Sequence, residues 1–530
     1  MKRIILTISA LVVVSGAVFS QGQLDAYKVA QTDLFGTARY LSMGGAFGAL
    51  GGDISVMNAN PAGLGVYRSS EVVTTLSLNA ASSESNWGGT KATGSRTRVY
   101  FDNIAYVGYF PTSSDVGIVG WNVGFSYNRL KNFNRNYSMR GNANSKYSLS
   151  DYMAERAWGR NVDDIRIPQE GSGSNYNPYD GMDWLSVLGY DAGFFQNYSD
   201  KNNEYFAAFG EKDGSGNWNP FQLKSVELDV IERGGIDQYD IAFGLNISDI
   251  VMLGATVAIT DISYHYNSYY KEDFEGSNYL KLANWLNTEG SGYAFNVGTI
   301  VCPADFLRLG VAYNSSTWYK MTDYFGAAAT TNSSFWQKEY TSYTPKNAYY
   351  DYEFRSPDRW IFSAAAILGQ TALLSVDYEL INYKKMKMYN RDGVENSETN
   401  TDISTNFGNG GTLRIGAEVK VTPQFAVRAG VAWVGNPVKS ALKNNELQVN
   451  TVGTIPHYTI ENSISNYTIG LGYRFTPSFY TDLVCVLKSQ KEDLYPFSKI
   501  IDNGKLIADT KPASLKTNTT RVALTLGYKF

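Results

Sequence analysis

The chain has 530 residues, with 46 lysines and arginines against 50 aspartates and glutamates, so its formal net charge is −4. This balance argues against a nucleic-acid partner, which would need a basic excess. Two cysteines, Cys302 and Cys485, cannot build a disulfide framework or a zinc site, so we expect no metal ion and no cofactor. The 39 tyrosines and 50 glycines, with only 14 prolines, favour a large β-sheet protein.

The first twenty residues have the pattern of a secretory signal peptide. Lys2 and Arg3 supply a basic start, residues 4–14 form a short apolar run, and small residues precede a cut expected after Ser20. The apolar run is too short for a membrane anchor. We therefore expect residues 1–20 to be removed and the mature chain to be exported.

Residues 24–66 precede the first predicted strand and show no alternation of apolar and polar side chains. The segment is too apolar for a periplasmic linker and too short for a separate domain. Its many small residues suit a compact plug packed inside a barrel. We assign residues 21–68 to this plug.

The rest of the chain, residues 69–530, alternates apolar and polar residues, as β-strands do when successive side chains point to opposite faces. Ile415 and Val419, for example, fall on one face, and Glu418 and Lys420 on the other. Fourteen strands are predicted, near residues 71–81, 96–110, 116–130, 236–247, 251–268, 291–302, 306–319, 357–368, 371–385, 411–421, 425–434, 461–475, 479–489 and 517–530.

Short and long connections alternate along these strands, which is typical of an outer-membrane barrel with short periplasmic turns and long outer loops. Aromatic residues such as Tyr106 and Phe110 cluster at strand ends, where interfacial girdles lie. A secreted β-sandwich or propeller is the alternative. The long connections are predicted at residues 82–95, 131–235, 269–290, 320–356, 386–410, 435–460 and 490–516.

We therefore predict an all-β protein: a 14-stranded antiparallel transmembrane β-barrel, with the plug at its N-terminus and long extracellular loops, in the outer membrane of a Gram-negative bacterium. The strand at the C-terminus ends on Phe530, as in barrels recognised by the barrel-assembly machinery. We expect the barrel to act as a monomer surrounded by outer-membrane lipid.

Several motifs resemble the FadL/TodX type of outer-membrane transporter. Residues 36–50, with the sequence GTARYLSMGGAFGAL, precede the Asn60-Pro61-Ala62 motif, and this order is similar to the start of FadL-type chains. Residues 292–298 and 308–313 resemble the central hairpin of the family. The family takes up long-chain fatty acids and other hydrophobic compounds, and some relatives are named haemin receptors.

The resemblance implies an N-terminal hatch that closes the barrel, with Gly44, Gly45, Asn60, Pro61 and Ala62 as hatch and gating residues. It also implies that ligand passes through a lumen pocket and leaves sideways at a kink in the third strand. Glycines weaken a strand and often mark bends. The candidates for this opening are Gly117, Gly120 and Gly124, although lumen-facing glycines can also serve only as packing room.

Two predicted outer-loop segments look like short amphipathic helices, at residues 183–188 and 279–286. In the family, outward apolar helices form a first groove that captures ligand. Leu282, Trp285 and Leu286 are therefore candidates for ligand capture, or they pack against neighbouring loops.

The charged residues opposite the apolar strand faces are predicted to face the lumen and to brace the barrel against the hatch. They are Arg308, Asp377, Glu379, Arg414, Glu418, Lys420, Arg428 and Arg474. His265 and His457 are the two histidines that a hydrolase or a haem site could use. No catalytic arrangement is recognised around them, so we expect no enzyme.

The sequence thus predicts passive uptake of a hydrophobic small-molecule ligand, such as a long-chain fatty acid, through a lumen pocket with a lateral exit. A haemin-binding receptor on the same barrel is one alternative. A general porin or surface-binding barrel with a structural hatch is the other.

Overall fold

The computed structural model describes residues 22–530 apart from 115, 142–145, 170, 172, 334–337, 347, 370 and 503–504. The predicted signal peptide at residues 1–20 lies outside the described residues. The described chain forms a closed antiparallel barrel of fourteen strands. This confirms the predicted fold class.

Four of the fourteen strands are interrupted, and each range is given as it stands in the chain. The strands are β1 (Glu71–Trp87), β2 (Thr90–Pro111), β3 (Ile118–Asn132 and Arg135–Gly141), β4 (Leu223–Ile247), β5 (Val251–Phe274), β6 (Tyr279–Ala304), β7 (Leu307–Asn314 and Trp318–Asn332), β8 (Glu339–Tyr343, Ala348–Arg355 and Arg359–Leu368), β9 (Ala372–Asn382 and Lys387–Asn390), β10 (Asn409–Lys420), β11 (Phe425–Val434), β12 (Tyr458–Arg474), β13 (Phe479–Tyr495) and β14 (Ala513–Lys529). The first and last strands pair from Glu71 opposite Lys529 to Asn86 opposite Ser514, which closes the barrel.

The exterior of the barrel carries an apolar band. On β5, Val257 and Ile259 are exposed on the outer face, whereas Thr256 and Ala258, which alternate with them, face inward and are buried. Tyr239 and Tyr293 edge this band toward the long loops. Apolar side chains facing outward between aromatic girdles are the arrangement of a barrel that stands in a bilayer. We call the end with the short turns the inner end and the end with the long loops the outer end.

The segment before the barrel lies inside it. It contains α1 (Gln23–Ala30), α2 (Ala38–Ser42), α3 (Val56–Ala59) and a 3-10 helix (Pro61–Val66). The part from α2 onward packs against the inner half of the wall, and α1 lies in the outer half, beside residues of the long loops. None of the described helices is long and apolar enough to cross a membrane.

Strands β1, β2, β5 and β6 extend further toward the outer end than predicted. The expected connection at 82–95 is wrong, because β1 and β2 continue to a two-residue turn in which Gly88 and Gly89 have φ of 58° and 93°, as a tight hairpin needs. The connection expected at 269–290 is also wrong, because only residues 275–278 separate β5 from β6. Above the apolar band the outward faces of these strands are largely polar, whereas the inward faces of β5 and β6 stay apolar. The hydrogen-bond ladder therefore continues after the apolar outer face has ended.

The helix predicted at residues 279–286 is wrong as well, because these residues open β6. Leu282 and Leu286 face inward and are buried, whereas Trp285 faces outward and is exposed. The three side chains therefore do not share a face, and their predicted role in ligand capture stays a prediction for separate sites.

The predicted helix at 183–188 is confirmed as α6 (Trp184–Asp191), where the Asp183 side chain accepts a hydrogen bond from the Ser186 backbone N–H. With α4 (Leu149–Ala157) and α5 (Val162–Ile165) it covers the outer end between β3 and β4. The connection runs from residue 142 to 222, shorter than the predicted 131–235. Two further helices, α7 (Ser397–Asn406) and α8 (Ser440–Lys443), lie in later outer loops.

Candidate functional site

The inner half of the N-terminal segment sits in a socket of wall glycines. At each of them a Cβ atom would lie within 2.7 Å of an atom of this segment, closer than side chains can approach. A Cβ on Gly430, for example, would lie 2.3 Å from the Gly44 nitrogen, and one on Gly310 would lie 2.5 Å from the Gly48 oxygen. The socket glycines are Gly124, Gly244, Gly254, Gly298, Gly310, Gly416, Gly430 and Gly470.

Two of the predicted hatch glycines make a tight turn against this wall. Gly44 and Gly45 have φ of 62° and 79°, a conformation that glycine adopts without strain. A Cβ on Gly44 would also lie 2.6 Å from the Val431 oxygen. The backbone of this turn therefore touches β11 directly.

The Asn60-Pro61-Ala62 motif holds another part of the N-terminal segment against the wall, at β6. The Asn60 side chain donates to the Gly48 oxygen at 2.6 Å and to the Thr299 oxygen of β6 at 3.2 Å, and it accepts from the Ala62 N–H. Pro61 begins the 3-10 helix, where a missing N–H costs nothing. Asn60 thus joins two parts of the hatch to the wall; its part in gating stays a prediction.

Charged wall residues brace the hatch, as predicted. The Arg39 Nε lies 3.1 Å from Glu418 Oε2, and Arg428 donates to the same Glu418 and to Asp482. Elsewhere, Asp377 accepts from the Gly48 N–H at 2.8 Å. Arg308 also donates to the Leu50 oxygen of the hatch, whereas Arg414 and Glu379 form an ion pair within the wall. Lys420 and Arg474 lie exposed at the inner end.

Above the hatch, α1 and the wall enclose a lumen pocket of about 170 Å³. One side is α1 itself, held by Lys28, whose ammonium lies 3.1 Å from Glu232 Oε1, and by Tyr27, which donates to Glu461. The lining also contains apolar and aromatic side chains such as Leu286 and Tyr266. Five basic and six acidic side chains line the pocket, so its charge is close to balanced.

At the foot of α1, Asp33 ties the N-terminal segment to both β3 and β13. Its carboxylate lies 2.6 Å from the Lys488 ammonium and accepts the Asn132 N–H. Burial alone would raise the pKa of Asp33, but the charges of Lys488 and Lys131 bring it below its ordinary value. Asp33 is therefore an anion that already has its partners.

The two histidines lie in different environments. His457 lines the lumen pocket, is buried, and has Nδ1 2.7 Å from the Pro496 oxygen, while Nε2 has no hydrogen-bond partner. Burial lowers the pKa of His457 to about 4, so the imidazole is neutral near pH 7. His265 lies on the outer face of β5, with Nδ1 2.7 Å from Asn287 Oδ1, and does not reach the lumen. In the described ranges no group of three or more His, Cys, Asp or Glu side chains could hold a metal ion.

The three glycines predicted to mark a lateral opening lie where the wall is closed. Gly117 is in the turn before β3, with φ of 81°. Gly120 pairs with Pro111 of β2 and Asn246 of β4, and Gly124 pairs with Val107 and Ala242. Gly124 faces Met57 of the hatch, so it provides packing room; an opening at these glycines stays a prediction.

The wall is interrupted further along the same strands. Pairing between β2 and β3 ends at Asn103 opposite Asn128, although β2 continues to Thr90. Farther out, the second part of β3 pairs with β4 and packs over the β1–β2 hairpin, where a Cβ on Gly94 would lie 2.5 Å from the Asn136 oxygen. We call the unpaired stretch between these contacts the window: residues 96–102 of β2 face residues 129–134 of β3 and its continuation.

A second cavity, of about 100 Å³, lies at the window and adjoins the lumen pocket. The two cavities share Asp33, Lys131 and Lys488 as lining residues. Phe101, which stacks on Tyr127 with ring centroids 5.8 Å apart, lies beside the window on the outer face. The window therefore lies at the level of the aromatic girdle. No pattern in the sequence predicted the window, because an absent strand pairing leaves no signal in either strand.

Comparisons with known proteins agree with this architecture. The family model described as outer membrane protein transport protein (OMPP1/FadL/TodX) matches residues 237–526. A FadL homologue from Pseudomonas aeruginosa is similar in structure, with 12% sequence identity, a TM-score of 0.50 and coverage of 94% of this chain and 99% of the other. At this identity the likeness shows the fold alone.

Two toluene transporters are also similar in structure. TodX from P. putida is 12% identical with a TM-score of 0.49, and TbuX from Ralstonia pickettii is 11% identical with a TM-score of 0.47. Each comparison covers 94% of this chain and 99% of the other. No curated protein sequence matches the chain.

Proposed function

The chain belongs to the outer membrane protein transport family (OMPP1/FadL/TodX), and on that premise we propose that it takes up small hydrophobic molecules passively, through the lumen pocket and the window. Membership makes the protein an outer-membrane transporter of hydrophobic compounds and not an enzyme. The ligand, the path and the roles of single residues belong to the proposal. We also propose residues 21–68 as the hatch and residues 69–530 as the barrel.

The observation that carries the proposal is the continuity of the two cavities. The lumen pocket adjoins the window cavity, and the window is flanked by exposed apolar side chains, Val99 and Phe101. Toward the inner end, the seated hatch closes the direct route to the periplasm. A ligand in the pocket thus has a sideways route into the bilayer.

The energetics of this route favour lateral release. A hydrophobic molecule that crossed the hatch would enter water, whereas one that leaves sideways enters lipid and gains about 0.8 kcal/mol for each CH₂ group buried. The exit therefore runs downhill, without ATP or an energising partner protein.

The pocket dimensions support a slim ligand. At about 170 Å³, the pocket is smaller than the roughly 300–1,000 Å³ of sites for drug-sized ligands. We therefore propose a single acyl chain, as in a long-chain fatty acid, or a monoaromatic hydrocarbon. A general porin is disfavoured, because an open pore would not need a hatch so closely fitted to its wall.

One observation favours haemin as a second candidate ligand. The Nε2 of His457 is unbonded and the residue lines the pocket, and a neutral imidazole is a haem ligand. Against this, Tyr270 stacks on the His457 ring with centroids 5.0 Å apart, and the pocket is small for a porphyrin. Haemin titration of the wild type and of His457→Gln, followed by absorbance, decides between the two ligands.

The test of the proposed function is uptake by cells that lack their own transporter and express this chain. Hexadecanoate and toluene are supplied to cells with the wild type, Asn60→Ala, or a deletion of residues 24–40. We expect uptake of at least one ligand by the wild type and a changed rate in both variants, while Asn219→Ala, at an exposed loop asparagine, behaves as the wild type. Equal uptake with and without the chain would contradict the proposal.

Two further expectations remain proposals. Phe530, whose N–H donates to the Ser70 oxygen at 3.0 Å and whose ring is exposed, is proposed as the recognition point for the barrel-assembly machinery. The barrel is proposed to act as a monomer.

A further inference from the structure

The window cavity differs from the lumen pocket in its charge. Its lining has six basic side chains, Arg96, Arg129, Lys131, Arg135, Lys488 and Arg521, against two acidic ones, Asp33 and Asp102. The lumen pocket next to it has five basic and six acidic side chains. The chain as a whole has a net charge of −4, so the positive excess is local to the window.

Some of these cations already have partners that fix them. Arg129 makes a two-fold contact with Asp237, at 2.9 and 3.0 Å, and Arg521 lies 2.6 Å from Asp102. Such paired geometry braces a wall. These arginines therefore do not account for the excess.

Three arginines around the window, Arg96, Arg98 and Arg233, make no ion pair with a carboxylate among the described residues, although the charge of Glu232 acts on Arg233. Arg96 makes no ion pair there, and its Nε is buried without a hydrogen-bond partner. Arg98 donates to Asn134 Oδ1 at 3.2 Å, and Arg233 donates to two backbone oxygens, those of Arg135 and Glu232. A buried guanidinium nitrogen without an acceptor is costly, which points to an acceptor supplied from outside the chain.

The three side chains lie close together. Arg96 and Arg98 both act on Arg233 by charge repulsion. Asn134 joins the group, because it accepts from Arg98 and donates to the Gly234 oxygen at 3.1 Å. Like charges gathered at one rim repel one another unless an anion lies between them.

Next to this group the outer face of β2 is apolar. Val99 and Phe101, which follow Arg98 along the strand toward the inner end, are exposed on that face. A molecule at this position meets hydrocarbon on one side and guanidinium groups on the other. That combination suits an amphiphile with an anionic head and an apolar tail.

We infer that the window carries an anion-binding site, formed by Arg96, Arg98 and Arg233, for the carboxylate or phosphate head group of an amphiphile whose tail lies along Val99 and Phe101. The inference deepens the proposed function and depends on its window. The head group comes either from the transported ligand or from a lipid of the surrounding leaflet, and both offer the oxygen anion that arginine binds best.

The test compares probes with the same tail and different heads. Hexadecanoate, hexadecyl phosphate and hexadecanol are bound to the purified barrel in a non-ionic detergent, with the wild type, Arg96→Gln/Arg98→Gln and the single variant Arg233→Gln. The matched control is Lys320→Gln/Lys516→Gln, which removes two exposed cations away from the window. Heat-modifiable electrophoretic mobility checks that each variant is folded. If the double variant does not fold, the single variant Arg233→Gln still tests the site.

We expect the wild type to bind both anionic probes about tenfold more tightly than hexadecanol, since hydrogen bonds to charged groups are worth about that factor. The preference should fall in the arginine variants and in high salt, and remain in the lysine control. Equal binding of all three probes to the wild type, or an undiminished preference in the folded arginine variants, would overturn the inference.

A second arm separates the two sources of the head group. The barrel is purified from vesicles of phosphatidylglycerol and phosphatidylcholine, and retained lipid is identified by native mass spectrometry. Retention of phosphatidylglycerol that the arginine variants lose assigns the site to membrane lipid; a preference seen only with hexadecanoate assigns it to the ligand. If no anionic probe is preferred while toluene uptake still depends on the hatch, the anion site is wrong and the proposed transport stands.

Discussion

The two halves of the N-terminal segment are held in different ways. From α2 to the 3-10 helix, the backbone lies against wall glycines, with contacts such as Gly44 to Gly430. By contrast, α1 reaches its surroundings through long side chains, such as Lys28 to Glu232. A backbone fitted to glycines has no room to shift, whereas side-chain contacts can exchange partners with a ligand or water. We therefore expect the segment from α2 to the 3-10 helix to stay in place and α1 to change its contacts when a ligand binds.

The largest effect is expected where the inner half is braced by charge. Glu418→Gln removes the carboxylate shared by Arg39 and Arg428, and loss of one partner from a buried ion pair costs about 3–5 kcal/mol. The urea concentration at half-unfolding, read from heat-modifiable mobility, should fall clearly. Glu353→Gln, which breaks the exposed 3.8 Å pair with Lys320, should leave it nearly unchanged.

Adding one methyl group to the socket should unseat the inner half. Gly430→Ala places a Cβ 2.3 Å from the Gly44 nitrogen, and overpacking costs about 1–3 kcal/mol. We expect ion conductance in planar bilayers to rise above that of the wild type. Gly408→Ala is the control, because its nearest atom, the Pro437 oxygen, lies 3.5 Å away. Equal conductance of Gly430→Ala and wild type would show that the hatch tolerates a looser fit.

The outer end of the barrel around α1 should respond to acid, because His457 of the loop before β12 lines the lumen pocket there. The pKa of His457 is lowered by burial to about 4, against about 6.5 when the chain is unfolded. The unfolded state therefore binds the proton first, and stability present above pH 6.5 is lost by about 1.4 kcal/mol per pH unit as the pH falls toward 4. Proteolysis of the outer loops should accelerate between pH 7 and pH 5 in the wild type. His457→Asn should remove the acceleration that comes from protonation of His457. An identical pH profile of proteolysis in the wild type and the variant would show that His457 does not cause it.

The smallest effect is expected in α1. Lys28→Met removes a half-buried ammonium from Glu232, which keeps Arg135 and Tyr264 as partners, so the cost should be about 1 kcal/mol or less. Hydrogen exchange should become faster in residues 23–30 and stay unchanged in residues 38–66. Faster exchange in both segments would mean that the two halves move as one unit.

The sequence was most informative where one face of a strand meets lipid. Inside the apolar band, alternation such as Val257 and Ile259 against Thr256 located the strands. Farther out, the outward faces become polar and the strand ends were placed too early. The helix predicted at 279–286 overlooked a signal that was present, because Leu280, Leu282 and Leu286 all fall on even positions, the period of a strand.

The candidate site was less accessible to sequence reasoning. The motif at Asn60 pointed to the hatch, yet the glycine socket depends on eight strands that meet one segment, and single glycines do not reveal that. The window depends on a pairing that stops at Asn103, which neither β2 nor β3 encodes locally. Its arginines were not singled out, because Arg96 and Arg98 lay at the start of the second predicted strand, beside a predicted loop, where charge is ordinary.

Release of ligand through the window can be tested by blocking the window. In a chain with Cys302 and Cys485 replaced by serine, Val99→Cys places a thiol on the outer face beside the window, and Leu487→Cys places one on the outer face of β13. Both are labelled with a bulky maleimide, and uptake of hexadecanoate and toluene is measured before and after labelling. We predict that labelling at residue 99 stops uptake and that labelling at residue 487 does not. Unchanged uptake with residue 99 fully labelled would show that ligand does not leave through the window.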